Sequence, residues 1–198
     1  MSIEPGRVPP GQYVPRGWPV LHYGSVPKFR PDRWDFRVFG AVAVERTYNW
    51  EQFSALPAVT VQADFHCVTK FTTLDNAWTG VSTRTLLDLA SPDPAATHVM
   101  VWGEYGYSAN MRLPDFADEQ ALFATHHNGE PLSADHGYPL RLVVPHLYAW
   151  KGPKWARGME YMTRDRRGFW EERGYHNRAD PWAEERFSYQ EAASDGPQ

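Results

Sequence analysis

Cys67 is the only cysteine in 198 residues, and it stands where a strand should end. Before it, Val59, Val61, Ala63 and Phe65 alternate with Thr60, Gln62, Asp64 and His66. That period of two predicts a half-buried β-strand. A cysteine at such an end offers one thiolate to a pocket from a rigid mount, and thiolate is both a nucleophile and a soft metal ligand. A lone cysteine is equally an ordinary small core hydrophobe, so the reading turns on what converges with it.

Three segments are candidates. In Asp135-His-Gly-Tyr-Pro-Leu-Arg141, Gly137 and Pro139 make a tight turn at a strand entrance and bring His136 and Arg141 to one edge. The alternative is a hairpin with a solvated arginine. In Trp150-Lys-Gly-Pro-Lys-Trp155, two of the chain's four lysines, Lys151 and Lys154, flank a Gly152-Pro153 turn between two tryptophans. Glycine lets backbone N–H groups approach an anion while the cations neutralise it. The glycine spacing is not that of a Walker loop; the alternative is an exposed basic turn. In Val20–Pro27, His22 and Tyr23 beside Gly24 can hydrogen-bond a ligand edge or simply pack. After Cys67 the chain offers Lys70, Phe71, Thr72, Thr73 and then Trp78, so Lys70 and Trp78 are expected beside the reacting position.

These segments need a scaffold. The length suits one domain with a sizeable core: residues 1–190, with 1–33 a wrapping arm and 191–198 a disordered tail. The net charge of −4 gives no global basic field for nucleic acid. One cysteine excludes an internal disulfide and a cysteine-built zinc site. Neither an export signal nor a transmembrane stretch is evident, so a cytoplasmic protein is expected. Seventeen prolines and 15 glycines imply many turns, and nine tryptophans are too many for a disordered chain.

Prolines 9, 10, 15, 19, 27 and 31 forbid a long helix in the arm, and Trp18, Leu21 and Phe29 give it something to pack. Strands are expected at 34–40, 59–67, 99–105, 107–113, 121–126, 140–144 and 156–162. A short helix at 50–56 is N-capped by Asn49, and one at 83–90 is capped by Ser82 with Leu86, Leu87 and Leu89 inward. Asn128-Gly129 signals a hairpin. Residues 118–120 should make a turn, 150–155 a loop, and the aromatic tail 164–189 should lie across the body. The fold class is α+β, a strand-rich mixed-sheet domain with long ordered loops.

The order of these pieces resembles the sulfite oxidase family of molybdopterin enzymes over residues 18–182. The matching pieces are Val26-Pro27 before the first strand, Phe36–Gly40, the short helix ending in Leu56-Pro57, and the Val59-Thr-Val strand into Cys67. Trp78-Thr-Gly-Val81, Asn128-Gly-Glu-Pro-Leu132, His136-Gly-Tyr-Pro-Leu-Arg141-Leu-Val-Val-Pro145 and Lys154-Trp155 follow in family order. The resemblance implies a sulfite-oxidase-type molybdopterin-binding fold with Cys67 as thiolate ligand to molybdenum. His136, Arg141, Lys151, Lys154 and the 152–155 backbone (Gly152 to Trp155) would hold a pterin and its phosphate, without a nucleotide, and His22, Tyr23 and Gly24 would cover the other side.

The implied reaction is two-electron oxygen-atom transfer at molybdenum, with an external one-electron carrier as partner. The family's sulfite-oxidising branch places arginines soon after the cysteine, where this chain has Val68-Thr-Lys-Phe-Thr-Thr73; its sulfoxide-reducing branch carries an acid where this chain has Thr69. With one lysine and no arginine after the cysteine, a neutral or singly charged substrate is expected, so reduction of a sulfoxide or N-oxide is favoured over sulfite oxidation, with the substrate open. A non-catalytic molybdopterin carrier is the rival reading. A thiol hydrolase using Cys67 with His66 or His136 is a further one, disfavoured because His66 should face away from Cys67 on a regular strand.

Overall fold

The computed structural model describes residue 4, residues 6–193 and residues 195–197. Residues 1–3 and 5 of the expected arm, and 194 and 198 of the expected tail, lie outside the described residues. Among the described residues ten strands form two sheets. The first contains β1 (Asp35–Gly40), β2 (Arg46–Asn49), β5 (His98–Gly103), β6 (Ser108–Arg112) and β10 (Ala156–Met162), in the order β2-β1-β10-β5-β6. β10 runs parallel to β1 and antiparallel to β5. The second contains β3 (Ala58–His66), β4 (Thr72–Ser82), β7 (Leu122–His127) and β8 (Glu130–Pro131) in that order, with β9 (Arg141–Val143) also paired to β7. The strand-rich α+β class is thus observed.

Alternation explains how these strands bury. Phe36 and Val38 of β1 point into the main core with Met159 and Tyr161 of β10, and Phe123 and Leu142 come in from the second sheet. Their neighbours Leu122, Ala124 and Val143 face the other way, into a second core with Phe65, Phe71 and Trp78. The second sheet is therefore apolar on both faces: one covers the first sheet, the other supports the Cys67 region. Truncating a core aromatic such as Phe123 to alanine would cost about 3–5 kcal/mol.

Helices seal the edges. α1 (Trp50–Ser54) begins at Asn49 in a capping box with Gln52 and buries Phe53. α2 (Thr83–Ala90) is capped by Ser82 and ends at Ser91 in the left-handed region. Leu86 of α2 is buried and Leu87 packs on the core, but Leu89 is 39% exposed, so only two of the three expected leucines face inward. A further helix, α3 (Leu113–Phe116), takes the end of the expected 107–113 strand; Pro114 at its first turn suits a helix start. The polar 69–73 segment is a turn that runs directly into β4, a full partner of β3.

Both terminal segments are held by backbone contacts. Tyr13 pairs with Phe71, Tyr175 pairs with Phe187, and Tyr148 N–H donates to Ala179 O at 2.8 Å. At the start of the expected tail, Glu191 accepts from Arg167 and from the Asn177 backbone N–H. Among the described residues no helix is long and apolar enough to cross a membrane.

Candidate active site

β3 ends at His66, and Cys67 opens a hydrogen-bonded turn. Cys67 N–H donates to Phe71 O at 2.8 Å, and Lys70 N–H donates to Cys67 O at 3.0 Å. The cysteine is half-buried and free, and it faces a cavity of about 260 Å³. Five parts of the chain build the wall. The N-terminal arm gives Trp18, His22 and Tyr23; the β3 end gives Phe65, Cys67 and Thr69; the β5–β6 hairpin gives Glu104 and Tyr107. The 136–155 segment adds His136, Arg141, Gly152, Lys154 and Trp155, and the C-terminal arm closes with Trp170 and Tyr175.

Arg141 is the most informative of these. It is only 2% exposed and sits among the rings of Phe65, Trp18 and Trp78, 4.9, 5.4 and 5.9 Å from their centroids. One guanidinium N–H donates to His136 O at 3.1 Å, while the buried Nε has no partner. No carboxylate pairs with it among the described residues. Burial pushes this guanidinium down to about 10. Lys154, whose Nζ donates to Asp135 O at 2.6 Å, is pushed down to about 7 by burial and then by Arg141. His136 stacks on Trp18 at 3.8 Å, and burial with the two cations holds its basicity below the ordinary imidazole value. Two cations crowd one desolvated wall without an anion between them. Such an arrangement is costly unless a ligand supplies the negative charge.

Backbone geometry at the same wall points to close approach. A Cβ on Gly152 would lie 2.3 Å from Leu142 O, so only glycine fits there. Trp155 holds φ +52°, unusual for a bulky residue, and its indole N–H is tied to Ala134 O at 2.8 Å. His22 keeps its ring orientation through an Nδ1 contact with Gly24 O at 3.0 Å.

Four expected site residues lie elsewhere. Lys151 is wholly buried away from the cavity: its Nζ meets Glu171 at 2.6 Å and donates to Asn110 O at 2.8 Å. It is a compensated structural cation, because a carboxylate 20 positions along the chain reaches it. Trp78 is completely buried behind Phe65 and Trp18 and forms no part of the wall. Lys70 is exposed on the turn, outside the cavity, its backbone held in the left-handed region at φ +74°. Gly24 is absent from the wall and serves only to orient His22. His66 lies in a different pocket and contacts Thr72, so it is no base for Cys67. Trp18, Thr69, Glu104, Tyr107, Trp170 and Tyr175 line the cavity without having been singled out for it. Only the aromatic richness of the two arms hinted at three of them, Trp18, Trp170 and Tyr175.

Among the described residues no group of three or more His, Cys, Asp or Glu side chains converges on one point. A metal beside Cys67 would therefore have to bring other ligands with it. An anionic organic group carrying its own sulfur ligands fits the single thiolate, the unpaired Arg141 and the glycine-lined wall.

Similar proteins identify the family. The model for the oxidoreductase molybdopterin-binding domain matches residues 23–170. The chain is 42% identical over 189 residues to the uncharacterized oxidoreductase YuiH of Bacillus subtilis (strain 168), covering 95% of this chain and 96% of that one. It is 31% identical over 144 residues to the catalytic subunit of the protein-methionine-sulfoxide reductase MsrP of Gluconobacter oxydans (strain 621H), covering 64% of this chain and 46% of the relative. The fold is similar to that of the sulfane dehydrogenase SoxCD from Paracoccus pantotrophus, with a TM-score of 0.66 and 21% identity over 72% of this chain and 41% of that one. The chain is a molybdopterin-dependent oxidoreductase and belongs to the sulfite oxidase family, as a molybdopterin-binding domain.

Proposed function

We propose that Cys67 is the protein's thiolate ligand to molybdenum and that the 260 Å³ cavity holds a nucleotide-free molybdopterin. The buried, carboxylate-free Arg141 carries this reading. When bound, the cofactor would supply two-electron oxygen-atom transfer chemistry. The chain's own part is to hold and screen. Arg141 and Lys154 neutralise the phosphate by charge-assisted contacts, the 152–155 backbone lies along it, and His136, stacked on Trp18, orients the pterin edge. His22 and Tyr23 of the arm cover the opposite side and exclude water.

Beyond the residues assigned to the cofactor, the wall carries Val68, Thr69, Tyr107, Trp150, Trp170 and Tyr175, with no cation among them. Tyr107 stays a neutral phenol, since burial and then Glu171 raise it well above its ordinary value, and its hydroxyl donates to Trp150 O at 2.7 Å. The one carboxylate on the wall, Glu104, is held by Arg157 at 2.6 Å. Such a pocket suits an uncharged substrate better than a dianion. We therefore favour reduction of an organic sulfoxide or N-oxide, which consumes two electrons and two protons and releases water, with the electrons delivered singly by an external carrier protein. The test compares kcat/KM for sulfoxide and N-oxide reduction with that for sulfite oxidation, using artificial electron carriers. Neutral substrates should win; efficient saturable sulfite oxidation with little activity on them would reverse the assignment.

A further inference from the structure

We propose that Thr69 is a positioning residue that tunes the metal centre by donating a hydrogen bond to the Cys67 sulfur. This rests on the reading of Cys67 as the metal's thiolate. The hydroxyl donates to Sγ at 3.2 Å, well within reach for sulfur, and among the described residues it has no other partner. Both residues line the same cavity.

The turn that carries Thr69 is pinned from three sides. The Cys67–Phe71 and Lys70–Cys67 backbone bonds close it from within. Tyr13 N–H of the N-terminal arm donates to Lys70 O at 2.9 Å, and Arg186 of the C-terminal arm donates to Val68 O at 2.5 Å. Lys70 takes its left-handed conformation in the same turn. Three consecutive residues after the cysteine are thus each fixed, two through their carbonyls and Thr69 through its side chain. A hydroxyl on so constrained a turn keeps its aim, unlike one on a free loop.

The physical consequence has a sign. A hydrogen bond to a thiolate draws electron density from the sulfur and favours the more electron-rich, reduced state of the metal it ligates. Thr69→Val keeps the shape and removes the donor, so the potential of the centre should fall. Thr69→Ser keeps the donor and should restore it.

The experiment uses the full chain loaded with molybdenum cofactor. Midpoint potentials are measured by EPR-monitored redox titration, and the metal–sulfur count by X-ray absorption, for the wild type and for Thr69→Val, Thr69→Ser and Cys67→Ser. The inference expects a lower potential in Thr69→Val, an unchanged sulfur count, and a Thr69→Ser value at the wild-type position. A Thr69→Val potential equal to the wild type, or equal shifts in both threonine variants, would overturn the role of the hydroxyl while leaving Cys67 as ligand. A sulfur count unaltered by Cys67→Ser would instead remove Cys67 as ligand, and this inference with it.

Discussion

Lys151 and Lys154 stand in one loop, separated by Gly152 and Pro153, yet they belong to two regions built on opposite rules. Beneath the cavity, Lys151 meets Glu171 at 2.6 Å, the Trp150 indole joins the same carboxylate at 2.9 Å, and Asn110 links Lys151 to Asp165 and Asn177. Lys151 and Glu171 there answer each other's charge. On the cavity wall, burial depresses both Lys154 and Arg141, Arg141 depresses Lys154 further, and the two meet only carbonyl oxygens and aromatic rings. In the first region the cation has its counter-charge within the chain, even though Glu171 Oε2 is buried without a hydrogen-bond partner; in the second, among the described residues, no carboxylate pairs with either cation. A cation's type and its place in the sequence do not separate these cases; its partners do.

The contrast sharpens most in the paired region. Glu171→Gln should strand Lys151 as a buried uncompensated charge and lower stability by about 3–5 kcal/mol, read by denaturant unfolding of cofactor-free protein. A loss below about 1 kcal/mol would mean that the network is not what holds the loop. Arg141→Met should do the opposite. Cofactor-free protein should unfold no more easily than the wild type, while cofactor affinity falls by about 1.5–3 kcal/mol, measured as pterin retained after gel filtration. A variant that unfolds early yet retains its pterin would place Arg141 in the structural class with Lys151.

Lys154 gives the pH form of the same comparison. In the folded, cofactor-free chain it loses its proton near 7, against an ordinary value of 10.5. Between those values the unfolded chain binds more protons, so stability should rise with pH across that window, and Lys154→Met should flatten the rise. Pterin retention should run the other way, falling above about pH 7 as the lysine loses its charge. A retention profile indifferent to Lys154→Met would exclude it from the anion grip. The smallest effect belongs to Lys70→Ala. This exposed lysine lies off the wall, so kcat/KM on a neutral substrate should change by no more than about twofold.

Much of the scaffold was legible in the sequence because local rules govern it. Alternation marked β1 and β3, Asn49 and Ser82 marked two helix starts, and Asn128-Gly129 marked its turn. The family order of motifs brought Cys67, His136, Arg141, Gly152, Lys154 and Trp155 to one cavity. Contacts between distant residues were not legible. Nothing near Lys151 announces Glu171, and nothing near Trp78 says that Trp18 will cover it. The Thr72–Ser82 strand was hidden because its first residues look like a polar turn. Tyr107, Trp170 and Tyr175 reach the cavity only once the hairpin and the C-terminal arm have folded onto it.

The central claim is that this cavity binds molybdopterin through Cys67 and Arg141. It is tested most directly by molybdenum analysis of freshly purified protein, together with pterin fluorescence after oxidative release, in the wild type, Cys67→Ser and Arg141→Met side by side. The account predicts molybdenum and pterin in near-equal amounts in the wild type, metal lost or labile in Cys67→Ser, and both depleted in Arg141→Met. Equal molybdenum and pterin in all three proteins would contradict it.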